Sequence, residues 1–287
     1  MVHLNLKRLF KCLSVKVFKK NRNIDIENIN ISFGSKAKNK FDLRNIDASE
    51  VTKLKALIED RGMFVIPSHQ VLSETEQIKI TKYFGNTDSD SISYISANTK
   101  VKSKTGTSDN TYLSSELWHN DEPYLKNPPH ISIFQMVDSV NQNVDDVNQN
   151  WETTFTSLHD ICSNITEEVK LKWNSIHIMY SGNDVIHPLL WIHPFTGRQS
   201  IYFDFRFVKQ IFSICKNTGE ILIKSNNEIV SKLYKLFSSN KDVYNHKWCH
   251  GDIIIIDNYA ISRRQTLKPS YDNPALVRRT TTAGLYF

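Results

Sequence analysis

The chain has 287 residues, of which 40% are hydrophobic and 23% charged, a composition typical of a folded globular protein that excludes a wholly disordered chain. The formal net charge of +6 is accounted for by the seven Lys or Arg residues that precede the first acidic residue, Asp25. The rest of the chain lacks the basic stripe with interleaved aromatic residues that nucleic-acid binding needs, so nucleic acid is excluded as a partner. Four cysteines without CxxC spacing exclude a zinc or disulfide framework and favour a cytoplasmic protein.

The N-terminal residues 4–20 alternate apolar side chains with Lys and Arg and contain no acid. This pattern allows a short basic helix lying on an anionic membrane surface or a transit-peptide-like leader. The simpler interpretation is an arm that packs on the domain or stays loose. We therefore assign residues 1–40 to a basic N-terminal arm and leave a weak membrane-surface contact through residues 4–20 open.

The next segment predicts a helix, a strand and a second helix. Asp47 can cap the first helix, which ends at Gly62, and the apolar run 63–67 follows as a buried strand. Ser73 and Glu76 have the spacing of a capping box and begin the second helix. Helical structure is thus expected before most of the strands.

The remainder of the chain is dominated by predicted strands. Residues 86–115 and 141–150 are polar and predict loops, the former over a site. Further helices are predicted near 166–173 and 227–237. The predicted strands are 131–137, 175–180, 199–204, 253–256 and 279–286. Helices before and around many short strands indicate an α+β protein with a jelly-roll core and flanking helices.

The sharpest local feature is the pair His119 and Asp121 in the sequence WHND. Residues two apart on an extended segment point to the same side, so an imidazole and a carboxylate can face one divalent ion. A second histidine from elsewhere would complete the facial triad of non-haem iron oxygenases. An HxD tripeptide alone is also compatible with a histidine that hydrogen-bonds a nearby carboxylate.

Several segments occur in an order that resembles the taurine dioxygenase family of Fe(II)- and 2-oxoglutarate-dependent oxygenases, including relatives that act in isonitrile biosynthesis. The resemblance runs from about residue 43 to 287 and implies a double-stranded β-helix, a cupin-like jelly roll, as a single domain over 41–287. The segments are RGMFVIPSHQVLSETEQIKITKYFG (61–85), WHND (118–121), NPPHISIFQMVDSV (127–140), ETTF (152–155), IHPLLWIHPFTGRQSIYF (186–203) and HKWCHGDIIIIDN (246–258).

The resemblance implies roles for individual residues. His119 and Asp121 fall on two iron ligands, and Thr153 falls on the hydroxyl that binds the distal carboxylate of 2-oxoglutarate. The third ligand, a histidine in the family, is Arg263 here. A guanidinium has no available lone pair and stays protonated, so Arg263 cannot bind a metal ion. We expect Arg263 to lie within reach of Asp121 and, with Thr153, around one cavity.

A second departure lies in the last strand, where the resemblance implies two arginines four residues apart. Aligning Arg279 with the later one places Ala275 at the position that clamps the co-substrate carboxylate. Arg278 or Arg279 is then the candidate to hold that carboxylate, because bidentate pairing needs only that the guanidinium reach it. His187 and His193, which precede prolines, are interpreted as structural residues outside the metal centre.

Three functions are compatible with this sequence. The first is a dioxygenase-like oxidoreductase with an altered metal centre, in which His119, Asp121 and another group hold iron. The second is a catalytically inactive relative that binds a small anion or regulates, with Arg263 in the place of the metal. The third, a peripheral-membrane interaction protein, rests on the basic N-terminus alone. We rank the first ahead of the second, with a small-molecule substrate such as an amino acid or another small anion.

Overall fold

A computed structural model describes residues 24–87, 91–96, 115–139, 151–215, 217–224, 226–267 and 275–285. The predicted arm segment 4–20, the predicted loop 141–150 and much of 86–115 lie outside these residues. The helices are α1 (Ala48–Arg61), α2 (Glu74–Thr81), α3 (Leu158–Ser163), α4 (Glu167–Trp173) and α5 (Asn226–Ser239), with a short 3-10 helix at Leu43–Asn45. No helix in the described ranges is long and apolar enough to cross a membrane.

Sixteen strands lie in the described ranges. They are β1 (Ile26–Asn28), β2 (Ser35–Ala37), β3 (Met63–Ile66), β4 (Ser93–Ser96), β5 (Ile131–Ser139), β6 (Glu152–Ser157), β7 (Ile176–Tyr180), β8 (Val185–Pro188), β9 (Leu190–Ile192), β10 (Gln199–Ile201), β11 (Val208–Ile214), β12 (Ile221–Ile223), β13 (Val243–Lys247), β14 (Ile253–Asp257), β15 (Ile261–Leu267) and β16 (Ala275–Thr281).

Local sequence explains where the first two helices begin and end. Asp47 caps α1 and forms a capping box with Glu50, and Gly62 ends the helix in the left-handed conformation that glycine adopts without strain. Ser73 and Glu76 form the predicted capping box at the start of α2. Both predicted helices and the buried strand between them are therefore confirmed.

The strands form a large sheet and three smaller ones. The large sheet has the order β1-β2-β3-β14-β5-β16-β4, and a three-stranded sheet has the order β13-β6-β15. A four-stranded sheet (β12-β11-β7-β8) and the pair β10-β9 complete the described topology. Strands β1 and β2 belong to the segment assigned to the N-terminal arm, and β2 pairs with β3 in the large sheet.

Apolar side chains from two sheets share one core. Phe155 of the three-stranded sheet is buried in the same cluster as Phe134 and Ile254 of the large sheet. On the outer face of the large sheet, alternate residues such as Ile133 and Ile255 pack with buried residues of the helical segments. This is the α+β architecture predicted from the sequence, a jelly roll with flanking helices, and the site lies between the two facing sheets.

Candidate active site

The segment that carries His119 and Asp121 is fixed to β15 by backbone hydrogen bonds and to the end of β14 by the Asn258 side chain. The His119 N–H donates to the Arg263 carbonyl (2.9 Å), and the Arg263 N–H donates to the His119 carbonyl (3.1 Å). Asn258, which follows β14, accepts from the Asp121 N–H through Oδ1 (2.8 Å) and donates to the Asp121 carbonyl through Nδ2 (3.1 Å). The Asn120 side chain donates to the carbonyls of Asn258 and Ile261. The position of both side chains relative to Arg263 is therefore fixed by the backbone.

Arg263 contacts both predicted metal ligands. Its Nη1 lies 2.6 Å from Nε2 of His119, and its Nη2 lies 2.5 Å from Oδ1 of Asp121. The guanidinium also lies over the Phe134 ring, 4.8 Å from its centroid, which places it between the two sheets. The predicted contact between Arg263 and Asp121 is thus present in the structure.

The hydrogen bonds of His119 determine which ring nitrogen carries the proton. Nδ1 lies 2.7 Å from the Leu117 carbonyl and must donate to it, so Nε2 presents its lone pair to Arg263. Burial lowers the pKa of His119 well below its ordinary value, and the charges of Arg206 and Arg263 lower it further. His119 is therefore a neutral acceptor in this site.

Asp121 is held as a carboxylate by two arginines. Besides Arg263, Arg279 approaches Oδ1 through Nη1 (2.8 Å), and Ser132 donates to Oδ2 (2.6 Å). Burial by itself raises the pKa of Asp121, but Arg263 and Arg279 lower it more, to below its ordinary value. Arg279 also donates to Glu122 through Nη2 (2.8 Å). We call Arg263, Asp121, Arg279 and Glu122 the arginine–carboxylate cluster.

The other two residues predicted to bind the co-substrate are not hydrogen-bonded to this cluster. Thr153 accepts from the Trp248 indole N–H (2.9 Å). Arg278 lies on the opposite face of β16 from Arg279 and is buried against the α2 side, where Nε donates to Gln77 (2.7 Å) and Nη2 to the Leu72 carbonyl (2.5 Å). Of the predicted residues, the structure therefore brings together His119, Asp121, Arg263 and Arg279.

Glu122, Ser132 and Arg206 belong to the site but were not singled out in the sequence. Glu122 had one available signal, its position next to Asp121. Arg206 is paired with Asp204 (2.7 Å) and donates to the Asn120 carbonyl (2.7 Å), so it supports the segment that carries the two ligands. Its contact with Asn120 joins residues 86 apart in sequence and has no local pattern.

A second group of metal-ligating residue types lies beside Asn258, where ligand atoms of His130, His193 and Asp257 all fall within 4.8 Å of one another. Both histidine Nε2 atoms contact Oδ2 of Asp257, at 3.2 and 2.9 Å. Nδ1 of His193 accepts from two backbone N–H groups, so its proton lies on Nε2 and points to Asp257. Hydrogen bonds between the two imidazoles and the carboxylate account for this arrangement, and a structural role for His193 stays a prediction.

Comparison with known proteins agrees with the fold. The family model described as taurine catabolism dioxygenase TauD, TfdA family matches residues 25–264. The chain belongs to the TauD/TfdA family. No curated protein matches the chain.

Solved structures of TauD/TfdA-like proteins share the fold at low sequence identity. A taurine dioxygenase from Burkholderia xenovorans is 19% identical with a TM-score of 0.71, and 91% of each chain is covered. AAD-2 in complex with Mn(II) and N-oxalylglycine is 19% identical with a TM-score of 0.72, covering 92% of this chain and 98% of that one. The protein is thus of the Fe(II)- and 2-oxoglutarate-dependent dioxygenase type, an oxidoreductase family whose members act on small molecules.

The residues present do not fit the family's iron. A facial triad needs three ligands with lone pairs directed at the ion. Here the third position is a cation, and the lone pairs of His119 Nε2 and Asp121 Oδ1 both accept from that cation. A divalent ion could reach these two atoms only if Arg263 left, so this arrangement does not support iron-dependent catalysis.

Proposed function

We propose that this chain is a dioxygenase-type protein with an altered centre, in which Arg263 takes the place of the third histidine and of the metal ion. The protein then binds a small anion at the arginine–carboxylate cluster and does not carry out iron-dependent oxidation. The observation that carries this proposal is the bridging of His119 and Asp121 by one guanidinium.

Electrostatics supports this assignment. A buried carboxylate is costly unless a cation compensates it, and Arg263 supplies that compensation to Asp121 without a metal. Arginine is also the residue best suited to bidentate recognition of carboxylates and sulfonates. The cluster places two such groups, Arg263 and Arg279, between the sheets.

The 2-oxoglutarate site is also altered. The position that clamps the co-substrate carboxylate in the family is Ala275 here, and Arg278, three residues later, is hydrogen-bonded to Gln77 on the face of the strand opposite Arg279. Thr153 accepts a hydrogen bond from the Trp248 indole N–H, which leaves its own O–H as the one family contact to the distal carboxylate. We therefore expect 2-oxoglutarate to bind poorly, because its distal carboxylate lacks the clamping arginine and no metal ion chelates its other end.

A second candidate function is an oxygenase that binds iron after Arg263 is displaced. It is favoured by one observation, that His119 and Asp121 remain side by side with Nε2 and Oδ1 directed at one group. The two functions differ in whether metal and co-substrate bind.

Metal and turnover measurements on the purified protein test the proposal. Anaerobic incubation with Fe(II) or Mn(II), followed by desalting and elemental analysis, is expected to leave substoichiometric metal. Oxygen uptake and succinate formation with 2-oxoglutarate are expected to stay at the background level. Calorimetry should show saturable binding of small carboxylates or sulfonates that is lost in Arg279→Gln. Stoichiometric iron together with succinate formation would instead establish the second candidate.

A further inference from the structure

Glu122 accepts a hydrogen bond from an Arg279 N–H group that an incoming anion would use. Arg279 donates through Nε to Ser93 Oγ (2.9 Å) and through Nη2 to Glu122 (2.8 Å), and its Nη1 forms an ion pair with Asp121 (2.8 Å). The cluster therefore contains two arginines and two carboxylates, and its charges balance. An anion meets a net positive charge there only if one carboxylate leaves.

Asp121 is not the carboxylate that leaves. Its side chain is 1% exposed, it accepts from Arg263, Arg279 and Ser132, and Asn258 holds its backbone. Releasing it would leave a buried charge without a partner, which is strongly unfavourable.

Glu122 differs from Asp121 in each of these respects. Its side chain is 26% exposed, and the ion-pair partner that the structure gives its carboxylate is Arg279. Its backbone φ of 50° is in the left-handed region that non-glycine residues rarely adopt, so the residue is held in a strained conformation. Its carboxylate can turn out to solvent without exposing the core.

We infer that Glu122 is an internal carboxylate that holds the anion position on Arg279, and that a monoanionic ligand binds by replacing it. Glu122 thereby determines the specificity of the site. It selects a carboxylate or sulfonate, which can replace it on Arg279, and disfavours a neutral molecule of the same shape. This inference rests on the proposed anion-binding function and adds the ligand's charge class and the exchange by which it binds.

The exchange makes a quantitative prediction for affinity. When a competing internal group closes the site, the apparent dissociation constant is the intrinsic one divided by the open fraction. Removing the charge of Glu122 should therefore tighten binding, and about tenfold corresponds to a site that is closed about nine-tenths of the time. A variant that merely damages the site would weaken binding instead.

Calorimetry of the full chain with propionate, ethanesulfonate and the neutral isostere propionamide tests this. Glu122→Gln and Glu122→Ala should bind the two anions about tenfold or more tightly than the parent, with no gain for propionamide. Asp184→Asn is the matched control, since Asp184 is another acid at positive φ (52°), and its carboxylate pairs with Lys209, which is not part of the cluster. It should bind as the parent does.

The outcomes separate the two proposals. If the parent binds the anions and the Glu122 variants bind no more tightly, the role of Glu122 is overturned while the anion site stands. If neither parent nor variants bind any anion, the proposed function fails and this inference fails with it. An equal gain for propionamide, or failure of both variants to fold in circular dichroism melts, would make Glu122 a structural residue and overturn the inference.

Discussion

A guanidinium and a divalent ion would compete for the same two lone pairs in this protein. Arg263 holds both, on His119 and Asp121, and it cannot lose its charge at neutral pH. Exchange of this one residue for histidine removes the fixed charge and adds a neutral nitrogen that can bind a metal ion at the same backbone position. Both changes favour metal binding. Without metal, however, loss of the charge destabilises the fold.

We expect Arg263→His to bind Fe(II) or Mn(II) more tightly than the parent. Without metal the variant should be less stable by about 1–3 kcal/mol, because Asp121 loses one of its two cationic partners. Added metal should restore the stability of the variant, because it binds the folded state only. Thermal melts of both proteins with and without Mn(II) measure both effects.

Arg264→His is the matched control for this experiment. Arg264 is the next residue of β15, and its guanidinium stacks on Trp118 at 4.8 Å. Histidine at 264 changes composition and charge equally but adds no ligand beside Asp121, so metal should leave its melting temperature unchanged. An equal metal-induced shift in the parent and in Arg263→His would show that Arg263 does not occupy the metal position.

The sequence predicted the central residues of the site but not the choice between two neighbouring arginines. His119 and Asp121 lie in one short motif, and Arg263 follows from the position that the family resemblance implies after Asp257 and Asn258. Arg278 and Arg279 are adjacent, so they face opposite sides of a strand, and only the pairing register decides which one faces inward. The register of β16 against β5 shifts between Leu276 and Val277, an irregularity with no signal in the sequence.

At the scale of elements, the end of α1 is packed against the start of β15. Gly62 ends the helix with φ of 75°, and a Cβ added there would lie 2.8 Å from Cδ1 of Ile261. Ile261 is 1% exposed and begins the strand that carries Arg263. The glycine is therefore required both by its conformation and by the close approach of the two elements.

We expect Gly62→Ala to destabilise the protein by about 2–4 kcal/mol, the sum of a left-handed alanine and an overpacked core contact. Gly197→Ala separates the two causes. Gly197 has a similar φ of 67°, but an added Cβ would meet nothing within 4 Å. It should cost only the conformational part, about 1–2 kcal/mol. Urea unfolding of both variants gives the comparison, and equal losses would show that Ile261 moves aside freely.

Elements with strong end signals were predictable, and short strands were not. Capping residues and a closing glycine indicated α1 and α2. Strands β1, β11 and β12 lack a clear alternation of buried and exposed residues, and all three residues of β12 are exposed. The last strand was predicted over 279–286 and lies at Ala275–Thr281, because its early residues pair with β4 and β5. Such pairings are decided by tertiary contacts.

At the scale of the whole molecule, the segment after Asp121 connects two sheets. Asn258 holds Asp121 at the end of β14 in the large sheet. A few residues later the Leu125 carbonyl accepts from Nε2 of His187 (3.0 Å), which belongs to β8 in the four-stranded sheet. The site segment is thus held from both sides, and His187 is a titratable contact that the cluster does not use.

Burial lowers the pKa of His187, and burial likewise lowers that of His159. The folded state therefore keeps these side chains neutral at a pH where the unfolded chain, with an ordinary value near 6.5, binds protons. The free energy of unfolding should fall as the pH decreases below about 6.5. The slope is at most about 1.4 kcal/mol per pH unit for each histidine, because one proton separates the two states.

His187→Gln should reduce that slope, since glutamine can still donate to the Leu125 carbonyl but does not titrate. Its stability should therefore differ less between pH 7.5 and 5.5 than that of the parent in urea unfolding. The non-titrating control is Asn183→Ala, which removes the hydrogen bond from Nδ2 to the neighbouring Tyr124 carbonyl (3.2 Å). That variant should lose stability equally at both pH values, because its contact carries no proton. If His187→Gln retained the parental slope, protonation of His187 would not be a source of acid sensitivity, and the fixed contact to Leu125 would be its whole contribution.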